Sequence, residues 1–259
     1  KLGAKERESG IKWEASNQIP FSLDSSYFDW QLLREVTMPD GSRNDEYMIA
    51  ASSRRTVDEM IEVGLRLGLH PICVGIPIFA IFNLVMISPQ FDTDERIAVI
   101  DIGPRRTNIT IIENKNIVFA REIPIGDDNI NESILSEFAS DGWTVSQVEE
   151  EKRKKKIIKM CLHDEHNIDD MTVRRIMRVI RPLLERIFNE IKRSFDYFRE
   201  QSSGAHIQKI LLSGKGTANE GITEIFSKIF SVPVEFFNVT DLIVADKSID
   251  INRLTDNIL

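Results

Sequence analysis

The segment IAVIDIGPRRTNITIIENKNIVFAREIPIG, residues 97–126, restricts what the chain can fold into more than any other. Three short apolar runs, Ile97 to Ile102, Asn108 to Glu113 and Asn116 to Ile123, are separated by two tight turns. Runs of this length, rich in Ile and Val and bounded by turn residues, predict three consecutive strands. The first is apolar at every position but Asp101. Asp101-Ile102-Gly103 leads into the first turn. That turn is either a phosphate-handling corner or the bend of a hairpin.

Helices are expected further along. DDNINESILSEFA reads as a helix with acidic residues in its first turn, where the helix dipole favours them. Thr144 followed by Gln147 has the capping-box spacing and opens a predicted helix through TVSQVEEEKRKKKIIKMC. The longest helix is expected from Asp170 to Gln201, with Ile176, Val179, Ile180, Leu183, Leu184, Ile187 and Ile191 at spacings of three and four. Pro182 is expected to kink it or to mark a junction between two helices. IQKILLSG then reads as a buried strand, GITEIFSKIF as a helix and VPVEFFNV as a final strand. From Ile97 onward the order β-β-β-α-α-α-β-α-β predicts an α/β domain with a mixed sheet.

Before Ile97 the pattern is different. A helix is expected within residues 1–20, stopped at Pro20, followed by a strand in SSYFDWQLLREV. MPDGSRND, with Asp40-Gly41, is a hairpin turn, and EYMIAAS is the returning strand. RRTVDEMIEVGLRLGL reads as an amphipathic helix, followed by the apolar PICVGIP and a short helix ending near Pro89. QFDTDER reads as a linker, which gives domains of 1–90 and 91–259.

Charge bounds the function. Lys+Arg number 33 against 41 Asp+Glu, a net charge of -8, which argues against a surface that tracks nucleic acid. Cys73 and Cys161 stand apart with no metal spacing and read as inert thiols of a reducing compartment. PICVGIPIFAIFNLVMI is too short, and too broken by proline, to predict a membrane span. EEEKRKKK reads as a solvated helix face, and Cys161 with His163, Asp164, Glu165 and His166 as a polar corner rather than a metal site.

The DIG that opens the strand unit, IKRSFDYFREQS at the end of the long helix, and then ILLSGKGTANEGI and VPVEFF together resemble the second domain of the actin-like (ribonuclease-H-like) ATPases. Within them the chain is most similar to the PilM family of type IV pilus assembly, itself related to the cell-division protein FtsA. IKWEASNQIPFSLDSSYFDWQLL and MIAASSRRTVDEMIEVGLRLGLHPICVGIP resemble the inserted subdomain of the PilM and FtsA first domain. The resemblance implies an α/β actin-like fold whose second domain is complete or nearly so, with a partial first domain. Family members begin with another three-stranded unit and end with a further helix, so the chain is expected to be trimmed at both ends.

In that family nucleotide lies between two domains, each offering a turn to the phosphates. The resemblance implies Asp101 as the residue that holds Mg²⁺ through water, and Gly103, Thr107 and Asn108 as its neighbours at the corner. It implies Gly214, Lys215 and Gly216 as the nucleotide loop, and Lys192 and Ser194 on the adenine and ribose side. Pro104, Arg105 and Arg106 depart from the family's small residues. Proline has no N–H to donate, and the two guanidiniums either pair with phosphate or face solvent. ATP and Mg²⁺ are therefore expected to bind weakly or not at all, with at most slow hydrolysis.

The expected partner is an inner-membrane pilus protein of PilN type, its short cytoplasmic tail held in a groove offered by Ile19, Phe21, Tyr27, Trp30, Ile76 and Phe79. The other reading of these side chains is the subdomain's own core. Self-association and a motor ATPase complex are further expected partners, with a cytoplasmic location peripheral to the inner membrane. Alternatives are a nucleotide-independent scaffold of the same fold and an FtsA-like filament protein. The filament reading needs an amphipathic anchor, for which DKSIDINRLTDNIL is too polar. A small-molecule kinase on this fold would need a catalytic Asp motif that the sequence does not offer.

Overall fold

The structure is a computed structural model that describes residues 4–38, 40–88, 91, 95–161, 168–202, 204–217, 220–237 and 242. It divides into two compact units, Lys1–Ile76 and Pro77–Leu259. Among the described residues no helix is long and apolar enough to cross a membrane.

The first unit is a helix, a hairpin and a helix: α1 (Ala4–Gln18), β1 (Ser26–Thr37), β2 (Arg43–Ser53) and α2 (Arg54–Arg66). The strands pair antiparallel from Ser26↔Ser53 to Thr37↔Arg43, with an irregularity between Leu32 and Arg34. At the turn Gly41 has φ +81°, a conformation that glycine adopts without strain. Asp40 accepts from the Ser42 N–H and hydroxyl (2.9 and 2.6 Å). Ser53 ends the hairpin and caps α2, its hydroxyl accepting from the Thr56 N–H (3.2 Å). Ser53→Ala is expected to cost about 1 kcal/mol, read as a lower midpoint in urea unfolding. This unit buries few side chains (Ile11, Ala15 and Val57 among them) and leaves Met60, Val63, Leu67, Leu69 and Ile72 exposed.

The second unit is built on a five-stranded sheet. Helix α3 (Pro77–Ile87) is followed by β3 (Ile97–Ile102), β4 (Thr107–Glu113) and β5 (Asn116–Ile123). After α4 (Asp127–Glu137), α5 (Val145–Lys154), α6 (Ile157–Met160) and α7 (Met171–Gln201) come β6 (Lys209–Ser213), α8 (Ile222–Phe230) and β7 (Val234–Phe236). The strand order is β5-β4-β3-β6-β7, with β3–β4 and β4–β5 antiparallel and β3–β6 and β6–β7 parallel. The mixed sheet expected from the sequence is present.

Alternation along β3 explains why the run is apolar throughout. Ala98, Ile100 and Ile102 enter the main core with Ile176, Ile180 and Ile187 of α7 and Phe226 of α8. Ile97 and Val99 face the other way, clustered with Val85 of α3 and with Leu211 beside them on β6. Phe188, Phe195, Phe226 and Phe230 pack ring against ring between α7 and α8, with centroids 5.1–6.4 Å apart.

One expectation for the helices is corrected, and one is narrowed. The helix from Thr144 does not run to Cys161: Lys156 takes φ +49°, and α5 gives way to the short α6. The long helix is a single element of 31 residues that contains Pro182, not two helices joined there. Its start is firm, since the Asp170 carboxylate accepts from the Thr172 and Val173 N–H groups (2.9 and 3.2 Å). The Thr144 capping box forms as expected, with Gln147 Oε1 2.8 Å from the Thr144 N–H.

Candidate functional site

Asp101 is the next-to-last residue of β3, paired across to Asn108 on β4 and to Ser213 on β6. The Asn108 side-chain amide donates to Asp101 Oδ2 (3.1 Å). Among the described residues no other side chain bonds this carboxylate. Burial pushes the Asp101 carboxyl above its ordinary range, and the Asn108 bond offsets only part of that.

The turn after it is closed by the Gly103 N–H donating to Arg106 O (2.9 Å). Its carbonyls point into the start of α4. Gly103 O accepts from the Asp127 N–H (3.0 Å) and Pro104 O from the Asp128 N–H (2.7 Å). The first amides of this helix are thus satisfied by main chain. Gly126 makes the approach possible, because a Cβ there would lie 2.4 Å from Gly103 O and 2.5 Å from Pro104 O. Thr107 is buried and donates to Ile125 O (2.8 Å), so it anchors the turn. Arg105 is 3.9 Å from Asp128, and Arg106 is paired with Glu122. Both guanidiniums are largely solvated.

The loop after β6 meets this corner directly. Gly214 has φ +88°, and a Cβ on it would lie 2.5 Å from Ile102 O and 2.6 Å from Asp101 Oδ1. At Gly216 a Cβ would lie 2.3 Å from Ile102 Cγ2. Both glycines are therefore required for packing against β3. Thr217 closes the loop with its N–H and hydroxyl on Gly214 O (2.9 and 2.7 Å). Lys215 Nζ donates to Glu149 Oε1 of α5 (2.6 Å). That bond, with the field of Glu149 and further help from Asp127 and Asp128, holds the ammonium above the usual lysine range.

One cluster at the corner escaped the sequence reading. Lys152 of α5 and Asp127 of α4 are both buried, and Lys152 Nζ donates to Asp127 Oδ1 (2.7 Å) and Asn131 Oδ1 (2.8 Å). Asn131 in turn donates to Asp127 Oδ2 (3.3 Å). The polar atoms of a buried ion pair are thus matched, which is the condition for it to hold. The only signal in the sequence is the spacing of Asp127 and Asn131, one helical turn apart.

Asp101, Gly103, Arg105, Arg106, Thr107, Asn108, Gly214, Lys215 and Gly216 therefore gather at one end of β3 and β6. Lys192 and Ser194 do not join them. Lys192 lines a small cavity with Phe195, Arg199, His206 and Phe230, beside the chain that enters β6, the end opposite to Gly214. Ser194 is buried against β5, donating to Glu190 O (2.8 Å) and accepting from Arg121 (3.2 Å).

Of the residues expected to meet a partner, all but Phe79 lie in the first unit. Ile19 and Phe21 line an open depression of the first unit with Trp13. Tyr27 donates to Asp58 (2.9 Å) under the Arg54 guanidinium, and Trp30 packs edge-on to Tyr47 at 5.4 Å. Ile76 closes the first unit and Phe79 lies on α3, both half-buried. Among the described residues no three His, Cys, Asp or Glu side chains form a metal cage. His163 to His166 lie outside the described residues, as do the last residues of the chain.

The model of a family described as "Type IV pilus assembly protein PilM" matches residues 1–259. Among solved structures the chain is similar to the PilM-PilN type IV pilus biogenesis complex, with a TM-score of 0.76 and 23% identity over 99% of this chain and 69% of that one. MreB5 of Spiroplasma citri bound to ADP matches with a TM-score of 0.52 and 16% identity, over 80% of this chain and 68% of that one. The same protein bound to AMPPNP gives a TM-score of 0.51 at 16% identity, again over 80% and 68%. The fold is that of the actin-like ATPases.

Proposed function

Because the chain belongs to the PilM family of type IV pilus assembly proteins, we propose that it is a cytoplasmic actin-like assembly protein that holds an inner-membrane partner of PilN type. The solved structure it resembles at a TM-score of 0.76 is itself a PilM-PilN complex, which supports that choice of partner. The partner's short cytoplasmic tail would lie on the first unit, where Trp13, Ile19 and Phe21 share an open depression with Lys12 and Asp24. Extended peptides are commonly held in this way, backbone pairing giving affinity and pockets giving specificity. In this reading residues 1–90 belong to a first domain and 91–259 form the second.

The second part of the proposal is that the Asp101 corner and the Gly214 loop take a nucleoside triphosphate with Mg²⁺. One observation carries it: a carboxylate with a raised pKa stands against the loop at the carboxyl ends of two parallel strands, where α/β sheets bind ligands. The donor set fits the ion. Asn108 claims one oxygen of Asp101, and the other has no hydrogen-bond donor among the described residues. Asp101 would hold Mg²⁺ through water, and the ion would supply charge neutralisation for the phosphates. In this reading nucleotide is a conformational ligand with slow turnover at most.

A specific observation favours the rival, a scaffold that takes no nucleotide. The turn's carbonyls are engaged with α4, and Pro104 offers no N–H. Calorimetric titration with ATP and Mg²⁺ separates the two, and weak binding is expected. Asp101→Asn is expected to weaken Mg²⁺-dependent binding at least about tenfold. The same substitution should raise the unfolding midpoint at neutral pH, since it removes a carboxylate that the fold disfavours. That gain is full above the raised pKa of Asp101 and vanishes below about pH 4, where the unfolded chain is also protonated. A variant that lost stability at neutral pH would count against the site.

A further inference from the structure

Among the described residues four cations stand around the corner. Lys152 is buried with Asp127 and Asn131, Arg105 faces Asp128, and Arg106 is paired with Glu122. The fourth, Lys215, bonds Glu149 of α5, and among the described residues Glu149 has no other partner. The side chains of both are open to solvent, 48% and 37% exposed, so a dissolved anion can reach the ammonium. Lys215 is also the residue next to Gly214, whose backbone touches Asp101 and Ile102.

We propose that Lys215 is a two-position cation, held by Glu149 when the corner is empty and transferred to a phosphate oxygen when nucleotide enters. Glu149 is then an internal competitor for the anion. The inference rests on the nucleotide reading above and adds its regulation. An exposed ion pair is weak, so exchanging its carboxylate for a phosphate of higher charge costs little and gains a charge-assisted bond. The exchange has a structural consequence. Glu149 and Lys152 are three residues apart on α5 and face the same corner, one on the loop and one on α4. Releasing Lys215 unties α5 from the Gly214 loop while Lys152 keeps it on α4, so occupancy of the corner is passed to the helical layer.

The test uses the whole chain, ATP with Mg²⁺ as the probe, calorimetry as the readout, and Glu149→Gln, Lys215→Gln and the double variant. Glu149→Gln should bind about two- to fivefold more tightly than the parent and Lys215→Gln more weakly, with the gain from Glu149→Gln absent when Lys215 is already changed. Binding by Glu149→Gln where the parent shows none would also support the exchange. If the parent binds and Glu149→Gln is no tighter, the exchange is wrong and the nucleotide reading stands. If the gain persists in the double variant, Glu149 acts only through its general field, and the exchange is again wrong. If the parent and all three variants fail to bind, both readings fall.

Discussion

Lys152→Met is expected to cost about 3–5 kcal/mol of the second unit's stability, read by denaturant unfolding. The reason is what it leaves behind. Asp127 is buried beside Lys152, each side chain 4% exposed, and the ammonium is the only cation bonded to it among the described residues. Removing that ammonium strands a carboxylate in a low-dielectric setting, where Asn131 alone cannot compensate it. Changing both partners, Lys152→Met with Asp127→Asn, should recover much of the loss, because the isolated charge is then gone. A single variant that lost less than about 1 kcal/mol would mean that water reaches Asp127 and the pair is not truly interior.

Gly214→Ala is the second large effect, about 2–5 kcal/mol, from two sources. Its φ of +88° is unfavourable for any residue with a Cβ, and that Cβ would fall 2.5 Å from Ile102 O and 2.6 Å from Asp101 Oδ1. Ile102 O is backbone and cannot swing aside, so β3 and β6 must move apart or the loop must rearrange. Either outcome displaces Asp101, and Mg²⁺-dependent nucleotide binding should fall with stability. Gly41→Ala is the control, with φ +81° and no atom within 4 Å of the added Cβ. If the two substitutions cost the same, backbone strain is the whole effect and the packing account of Gly214 is wrong.

These two positions differ in how visible they were beforehand. Gly214 follows an apolar run and precedes a helix, so punctuation alone exposes it. The strands around it are equally plain, because β3 and β4 are covered on both faces and are rich in Ile. Lys152 is hidden inside EEEKRKKK, a run whose composition says solvent. Most of that run is indeed solvated and paired, as with Lys154 on Glu150. The exception depends on Asp127, a residue 25 positions away whose acidity was already explained by the helix dipole. Lys192 and Ser194 show the converse limit. Helical periodicity assigns residues to a face but not to an end of the sheet, and Ser194 turned out to serve Arg121 and Glu190.

The way Gly103 and Pro104 fill the start of α4 has a consequence for how this protein would respond to its medium. A helix terminus normally offers an anion fixed dipoles that mobile ions screen poorly. Here those dipoles are occupied by the protein's own carbonyls. Attraction for a phosphate is therefore left to solvated side chains such as Lys215 and Arg105, whose reach at physiological ionic strength is about 8 Å. Affinity resting on such groups would fall steeply as salt rises, and single surface substitutions could tune or erase it while the sheet beneath stayed unchanged.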